Sequence, residues 1–162
     1  MIIMISQQAS TIRKIIIDAK PICVVMTKDH LGLEKFLEVD TYFAYSSNHL
    51  AKAVEATLYS FRKGESLRNL KYELYRRLMG IRELRKLPLD KIGKEDCNIY
   101  VLSCGELGSI GLSELTECDY GAKKILYLLR ELSRYLEVDE ERVENYLLSM
   151  VEATKFNKWL VS

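Results

Sequence analysis

Proline occurs only twice and glycine eight times in this 162-residue chain. So small a supply of chain breakers excludes a flexible linker or a low-complexity tail. No run of about 20 apolar residues occurs, which leaves no candidate for a membrane-spanning helix. The opening "MIIMIS" lacks a basic leader and a long apolar core. It reads as a first strand, Ile2–Ile5, and poorly as a signal peptide. Histidine is nearly absent, with His30 and His49 the only two. The four cysteines, Cys23, Cys97, Cys104 and Cys118, include no C-x-x-C pair and lie far from either histidine in sequence. A zinc site is therefore not expected, and the four read as buried free thiols of a reducing, cytoplasmic compartment. No P-loop, H-E-x-x-H or G-x-S-x-G motif is present, so neither an enzyme nor a bound cofactor is expected.

What is present describes one globular domain over residues 1–162. A chain of this size buries roughly 70% of the surface its unfolded form exposes. Short runs rich in β-branched and aromatic residues fill the first half: Ile12–Ile17, Ile22–Met26 and Thr41–Tyr45, with "NIYVLS" (Asn98–Ser103) later. Between Met26 and Thr41, "KDHLGLEKFLEV" reads as a short helical segment.

Helical periodicity is clear from His49 to Phe61, where Leu50, Ala53, Val54, Thr57, Leu58 and Phe61 share one face. Ser46, Ser47 or Asn48 can cap its start and Gly64 can end it. Leu67, Leu70, Leu74 and Leu78 form the next stripe, which Gly80 stops or bends. Gly121–Leu136 is a third helix, with Ile125, Leu128, Leu129, Leu132 and Leu136 aligned. In "VDEERVENYLLSM", Asp139 is the expected N-cap of a last helix, with Val138 and Val143 placed as a hydrophobic staple. The order implies a single α+β domain, a small mixed or antiparallel sheet packed with several helices.

Formal charge is just +1, yet it is unevenly spread. Residues 62–91 hold ten Arg or Lys and four Asp or Glu, a local charge of +6 that leaves −5 on the rest. If the leucine stripe faces the core, Arg68, Lys71 and Arg76 lie on the flanks or outside, and Arg77 borders the stripe with its stem buried. After Gly80, Ile81, Leu84 and Leu87 can return to the core, leaving Arg82, Arg85 and Lys86 outward. Such a run is either a solvated face with local ion pairs or a phosphate-binding surface, for which the arginine fork is well suited. Tyr72 and Tyr75 are either packing residues or platforms for unpaired bases.

These residues resemble a known family. "NLKYELYRRLMGIREL" is similar to a motif of the PRPK-binding (TPRKB-like) subunit of the KEOPS tRNA-modification complex, through Asn69, Leu70, Glu73, Leu78, Gly80, Arg82, Glu83 and Leu84. Upstream, "SSNHLAKAVEATLYSF" resembles that family's Ser-x-x-His helix through Ser46, His49, Leu50 and Ala53. Glu83 stands where the family usually has Gln. The resemblance implies a non-catalytic subunit that docks on a kinase-like ATPase, meets the other KEOPS subunits indirectly, and recruits tRNA by its 3′ CCA end for threonylcarbamoyladenosine formation beside the anticodon.

On that reading Arg68, Arg76, Gly80, Arg82, Arg85 and Lys86 are the candidate RNA contacts, with Arg82 first. Gly80 is either a plain C-cap or the point where the RNA backbone approaches, ahead of a helix N-terminus. Glu73 is expected to orient Arg77 or Arg82. His49 is either a local hydrogen-bonding group or a partner contact. Trp159, the only tryptophan, covers the core edge or anchors a partner. The competing function is a helix-turn-helix-like DNA- or RNA-binding regulator, with the break at Gly80.

Overall fold

The computed structural model describes residues 11–64, 69–109, 115–122, 124–127 and 142–160. Within them, strands β1 (Ile12–Ile17), β2 (Lys20–Thr27), β3 (Leu37–Val39) and β4 (Cys97–Ser103) form one sheet in the order β1-β2-β4-β3. Every pairing is antiparallel. Helices α1 (Ser47–Arg62), α2 (Leu70–Met79) and α3 (Val143–Thr154) complete the α+β domain, together with a helical stretch at 124–127.

The β1–β2 hairpin turns on Asp18 and Ala19, both at positive φ. Two such residues match the right-handed twist of the flanking strands. Asp18 also accepts a hydrogen bond from Arg62 at the end of α1, 2.7 Å away. Alternation then sorts the strand residues. Ile15, Ile17, Val24, Met26 and Ile99 join the core built with Leu50, Val54, Leu74, Leu78, Leu147 and Val151 of the helices. Val25 and Tyr100, a cross-strand pair, lie outside that cluster yet are also buried. There the Tyr100 hydroxyl accepts the Leu31 N–H, so the 28–36 segment is tied to the sheet.

Two expected elements differ. Thr41–Tyr45 is not a strand. A 3-10 turn covers Thr41–Phe43, because the Asp40 carboxylate caps it by accepting the Tyr42 N–H at 2.9 Å. The residues 28–39 form no helix. Gly32 takes a left-handed conformation (φ 69°), and Leu37–Val39 pairs with β4 instead. Pairing to a ready strand edge overrides a modest local helical pattern. The expected strand Ile2–Ile5, the leucines 128, 129, 132 and 136, and the cap and staple at Val138 and Asp139 lie outside the described residues. Helix α3 opens at Val143, with Glu144 in its first turn.

The free-thiol expectation is overturned. Cys23 bonds Cys104 and Cys97 bonds Cys118, with Cα separations of 5.0 and 5.5 Å. Both bridges fasten the ends of β4. Their partners stand 81 and 21 residues apart in sequence, so only the folded sheet brings them together. Disulfides belong to oxidising compartments or to the disulfide-rich intracellular proteins of hyperthermophiles. No helix among the described residues is long and apolar enough to cross a membrane.

Closing loops of this length stabilises a fold by about 2–4 kcal/mol per bridge. Reduction with a strong dithiol is therefore expected to lower the melting temperature by ~5 °C or more. The Cys97→Ser/Cys118→Ser variant, which removes one of the two bridges, should show a smaller drop without any reductant. Calorimetric melting of the oxidised, reduced and variant chains checks both.

Candidate nucleic-acid interface

Folding divides the nine described cations of residues 62–91 into three groups. Arg77 is lost to the surface altogether, being 1% exposed. Its Nη1 donates to Thr154 Oγ1 of α3 at 3.0 Å and its Nη2 to Ser60 Oγ of α1 at 2.6 Å. Glu73, one turn earlier, pairs with it at 3.1 Å and with Arg76 at 2.7 Å. The expected snorkelling Arg77 is thus a fully interior charge, because its position faces the α1–α3 seam where hydroxyls await it. Glu73 orients Arg76 and Arg77, not Arg82.

A second group is paired at the surface. Arg62 meets Asp18, Lys71 meets Glu95, and Arg85 meets Glu83 at 2.6 Å. The bonds to Glu95 and Arg85 respectively hold Lys71 above the usual lysine range and Glu83 below the usual carboxylate range. Lys63 lies over the Tyr59 ring at 4.4 Å. The third group, Arg82, Lys86 and Lys91, is exposed along the segment that follows Gly80. Arg85 joins it in practice, since its side chain is 81% exposed and an exposed ion pair is worth at most ~1 kcal/mol. Arg68 lies outside the described residues.

Gly80 is the C-terminal residue of a Schellman motif. It sits at φ 66°, ψ 28°, and the Ile81 and Gly80 N–H groups donate to the Arg76 and Arg77 carbonyls. It is also buried. A Cβ here would stand 2.8 Å from Met150 Sδ and 3.2 Å from Leu160 Cβ. The close approach expected of an RNA backbone is made by the chain's own C-terminal segment, whose Leu160 N–H donates to the Gly80 carbonyl at 2.8 Å. No α-helix follows Gly80. Three-residue 3-10 turns at Leu84–Lys86 and Leu89–Lys91 replace it. Both the expected helix N-terminus and the recognition helix of a helix-turn-helix protein are therefore missing from this segment.

His49 is the second structural keystone. It is fully buried. Its Nδ1 accepts the Tyr45 N–H at 3.0 Å, so Nε2 carries the proton and donates to the Leu78 carbonyl, also at 3.0 Å. One ring thus joins the start of α1, where Ser46 Oγ caps the His49 N–H, to the end of α2. Nothing of it faces a partner. Tyr75 is likewise interior, its hydroxyl accepting the Asp40 N–H and its ring meeting Phe43 edge-on at 5.4 Å. Tyr72 is half-buried against it. Neither is a free stacking platform. Trp159, half-exposed, lies against the guanidinium groups of Arg76 and Arg77 at 5.0 and 5.4 Å. It covers the edge of the helix layer while keeping part of its ring in solvent.

Lys91 reaches the rim of a cleft that it shares with Lys94 and Lys124. Nothing local in the chain joins them, since Lys124 comes from a distant segment. No protein-family model matches this sequence, and no curated protein matches it.

Replacing Arg77 by Met leaves the buried Glu73 with one cation in place of two. The expected cost is about 3–5 kcal/mol, against under ~0.5 kcal/mol for Arg82→Ala, read by urea unfolding. His49 gives a pH signature. Burial lowers its pKa to about 4, opposed only by the bond to Leu78. The unfolded chain, with a histidine pKa near 6.5, takes up the proton first. The stabilisation is complete above about pH 6.5, falls as pH drops towards 4, and changes no further below it. Unfolding measured from pH 7.5 to 4 should show wild type losing about 3 kcal/mol more than His49→Gln over that window.

Proposed function

We propose that this chain is a non-catalytic subunit of a KEOPS-type tRNA-modification complex. It docks on the kinase-like ATPase of that complex and recruits tRNA by the single-stranded 3′ CCA end, while the chemistry of threonylcarbamoyladenosine formation belongs to other subunits. The observation that carries this reading is the exposed basic segment after Gly80, with Arg82, Arg85 and Lys86 all on the surface. Phosphate contacts from such side chains supply most of the affinity for a single strand. The family resemblance supports it from another side. Ser46, His49, Glu73 and Gly80, which carry the resemblance, form the joint that presents this segment.

Of the candidate contacts, Arg82, Arg85 and Lys86 remain in the proposal. Gly80 acts by setting the direction of the segment, not by touching RNA. Arg76 is held between Glu73 and Trp159 and contributes at its margin. On the partner side, His49 is out of reach, and Trp159 is a half-exposed aromatic beside Arg76 and Arg77.

The test is a gel-shift titration of the purified chain against tRNA with and without its CCA end, at two salt concentrations. Intact tRNA should bind at least tenfold more tightly than the truncated form. Arg82→Glu/Arg85→Glu should weaken binding by tenfold or more at an unchanged melting temperature, and lower the salt slope by about one per charge contact. Equal binding of both tRNAs, or an unaffected double variant, would contradict the assignment.

A further inference from the structure

A cleft of about 380 Å³ opens beside the sheet, between the 3-10 turn at Thr41–Phe43, the 91–96 segment and residues 119–124. That volume is within the range of small-molecule sites. Three lysines line it: Lys91, Lys94 and Lys124, each exposed. Three aspartates also line it, but two are already engaged. Asp40 accepts the N–H groups of Tyr42 and Gly93 at 2.9 and 2.6 Å. Asp119 is paired with Lys28 at 2.6 Å. Only Asp96 is left opposite three ammonium groups, none of which has an ion-pair partner among the described residues. Nor do the acids form a cation site, since no group of His, Cys, Asp or Glu among the described residues could hold a metal.

One further feature suits an anionic ligand with an aromatic part. The half-buried Tyr42 ring carries Lys124 Nζ at 5.1 Å from its centre.

The walls are fixed. The Cys97–Cys118 bridge joins the residues next to Asp96 and Asp119, and Thr41 Oγ1 donates to the Asp119 carbonyl. Gly121 allows the backbone to close in, since a Cβ there would stand 2.8 Å from the Tyr42 carbonyl oxygen.

We propose that this cleft binds a mononucleotide, its phosphate monoester held by Lys91, Lys94 and Lys124 and its base against Tyr42. Ammonium groups are compact, strongly hydrated charges that suit a phosphate dianion. The site shares Lys91 with the basic segment that follows Gly80 but includes none of Arg82, Arg85 and Lys86, and it stands without the tRNA reading.

The experiment is isothermal titration of the oxidised full chain with AMP, adenosine and inorganic phosphate at low ionic strength. AMP should bind saturably at one site, at least tenfold more tightly than either adenosine or phosphate. Lys94→Ala/Lys124→Ala, both at exposed positions, should lose tenfold or more at an unchanged melting temperature. Lys63→Ala and Arg82→Glu should lose nothing. Absence of saturable AMP binding at millimolar concentration would overturn the proposal. So would undiminished binding by the double lysine variant, adenosine binding as tightly as AMP, or inorganic phosphate doing so, which would remove the nucleotide assignment.

Discussion

Burying one guanidinium constrains the whole helical layer. An isolated charge in the interior costs several kcal/mol, so Arg77 is tolerable only if partners come to it. They come from three elements: Ser60 on α1, Glu73 on its own helix and Thr154 on α3. This single group therefore fixes the rotation of α2 and the position of its last turn against both neighbours. His49 repeats the device on the apolar side by giving its one proton to the Leu78 carbonyl. With both bonds in place, the end of α2 has one direction in which to leave. Gly80 supplies the left-handed turn, and Met150 and Leu160 close over it.

That geometry changes the meaning of the charge asymmetry. The +6 of residues 62–91 is not one basic face. Part of it is structural, part is balanced by acids drawn from elsewhere in the chain, and part is displayed. The displayed part is short and comes after the joint, on 3-10 turns instead of a helix. A surface of that kind suits an irregular single strand better than the major groove of duplex DNA, which a helix would fill. On the proposed reading, the motif residues would act only through the backbone they aim, and the nucleic-acid contacts would fall to Arg82, Arg85 and Lys86 beyond them.

The periodic elements were legible before folding. Ile12–Ile17 is a strand over the same residues read from its β-branched run, and the helix read over His49–Phe61 spans Ser47–Arg62. Local pattern and burial agree in both except at Phe61, read on the apolar face but 58% exposed. Thr41–Tyr45 misled because aromatic and β-branched composition mimics a strand, whereas an Asp40 cap decides the turn. The 28–39 segment misled because its fate rests on an edge supplied by β4, some sixty residues later. The disulfides were invisible for the same reason. Nothing local distinguishes a buried thiol from one that faces a second cysteine across a sheet. At the candidate site, outward Arg82, Arg85 and Lys86 were expected from Ile81, Leu84 and Leu87 returning to the core; Ile81 and Leu87 do return, whereas Leu84 is 38% exposed. The burial of Arg77 did not, because its hydroxyl partners lie on other helices.

The most direct test of the account is photo-crosslinking of tRNA carrying an azido-adenosine at its 3′ end, with the attachment sites mapped by mass spectrometry. The account predicts adducts concentrated in residues 81–91, on the segment displayed beyond Gly80, and their loss when the CCA end is blocked by a complementary oligonucleotide. Adducts elsewhere on the chain, or none above a protein of equal charge, would contradict it.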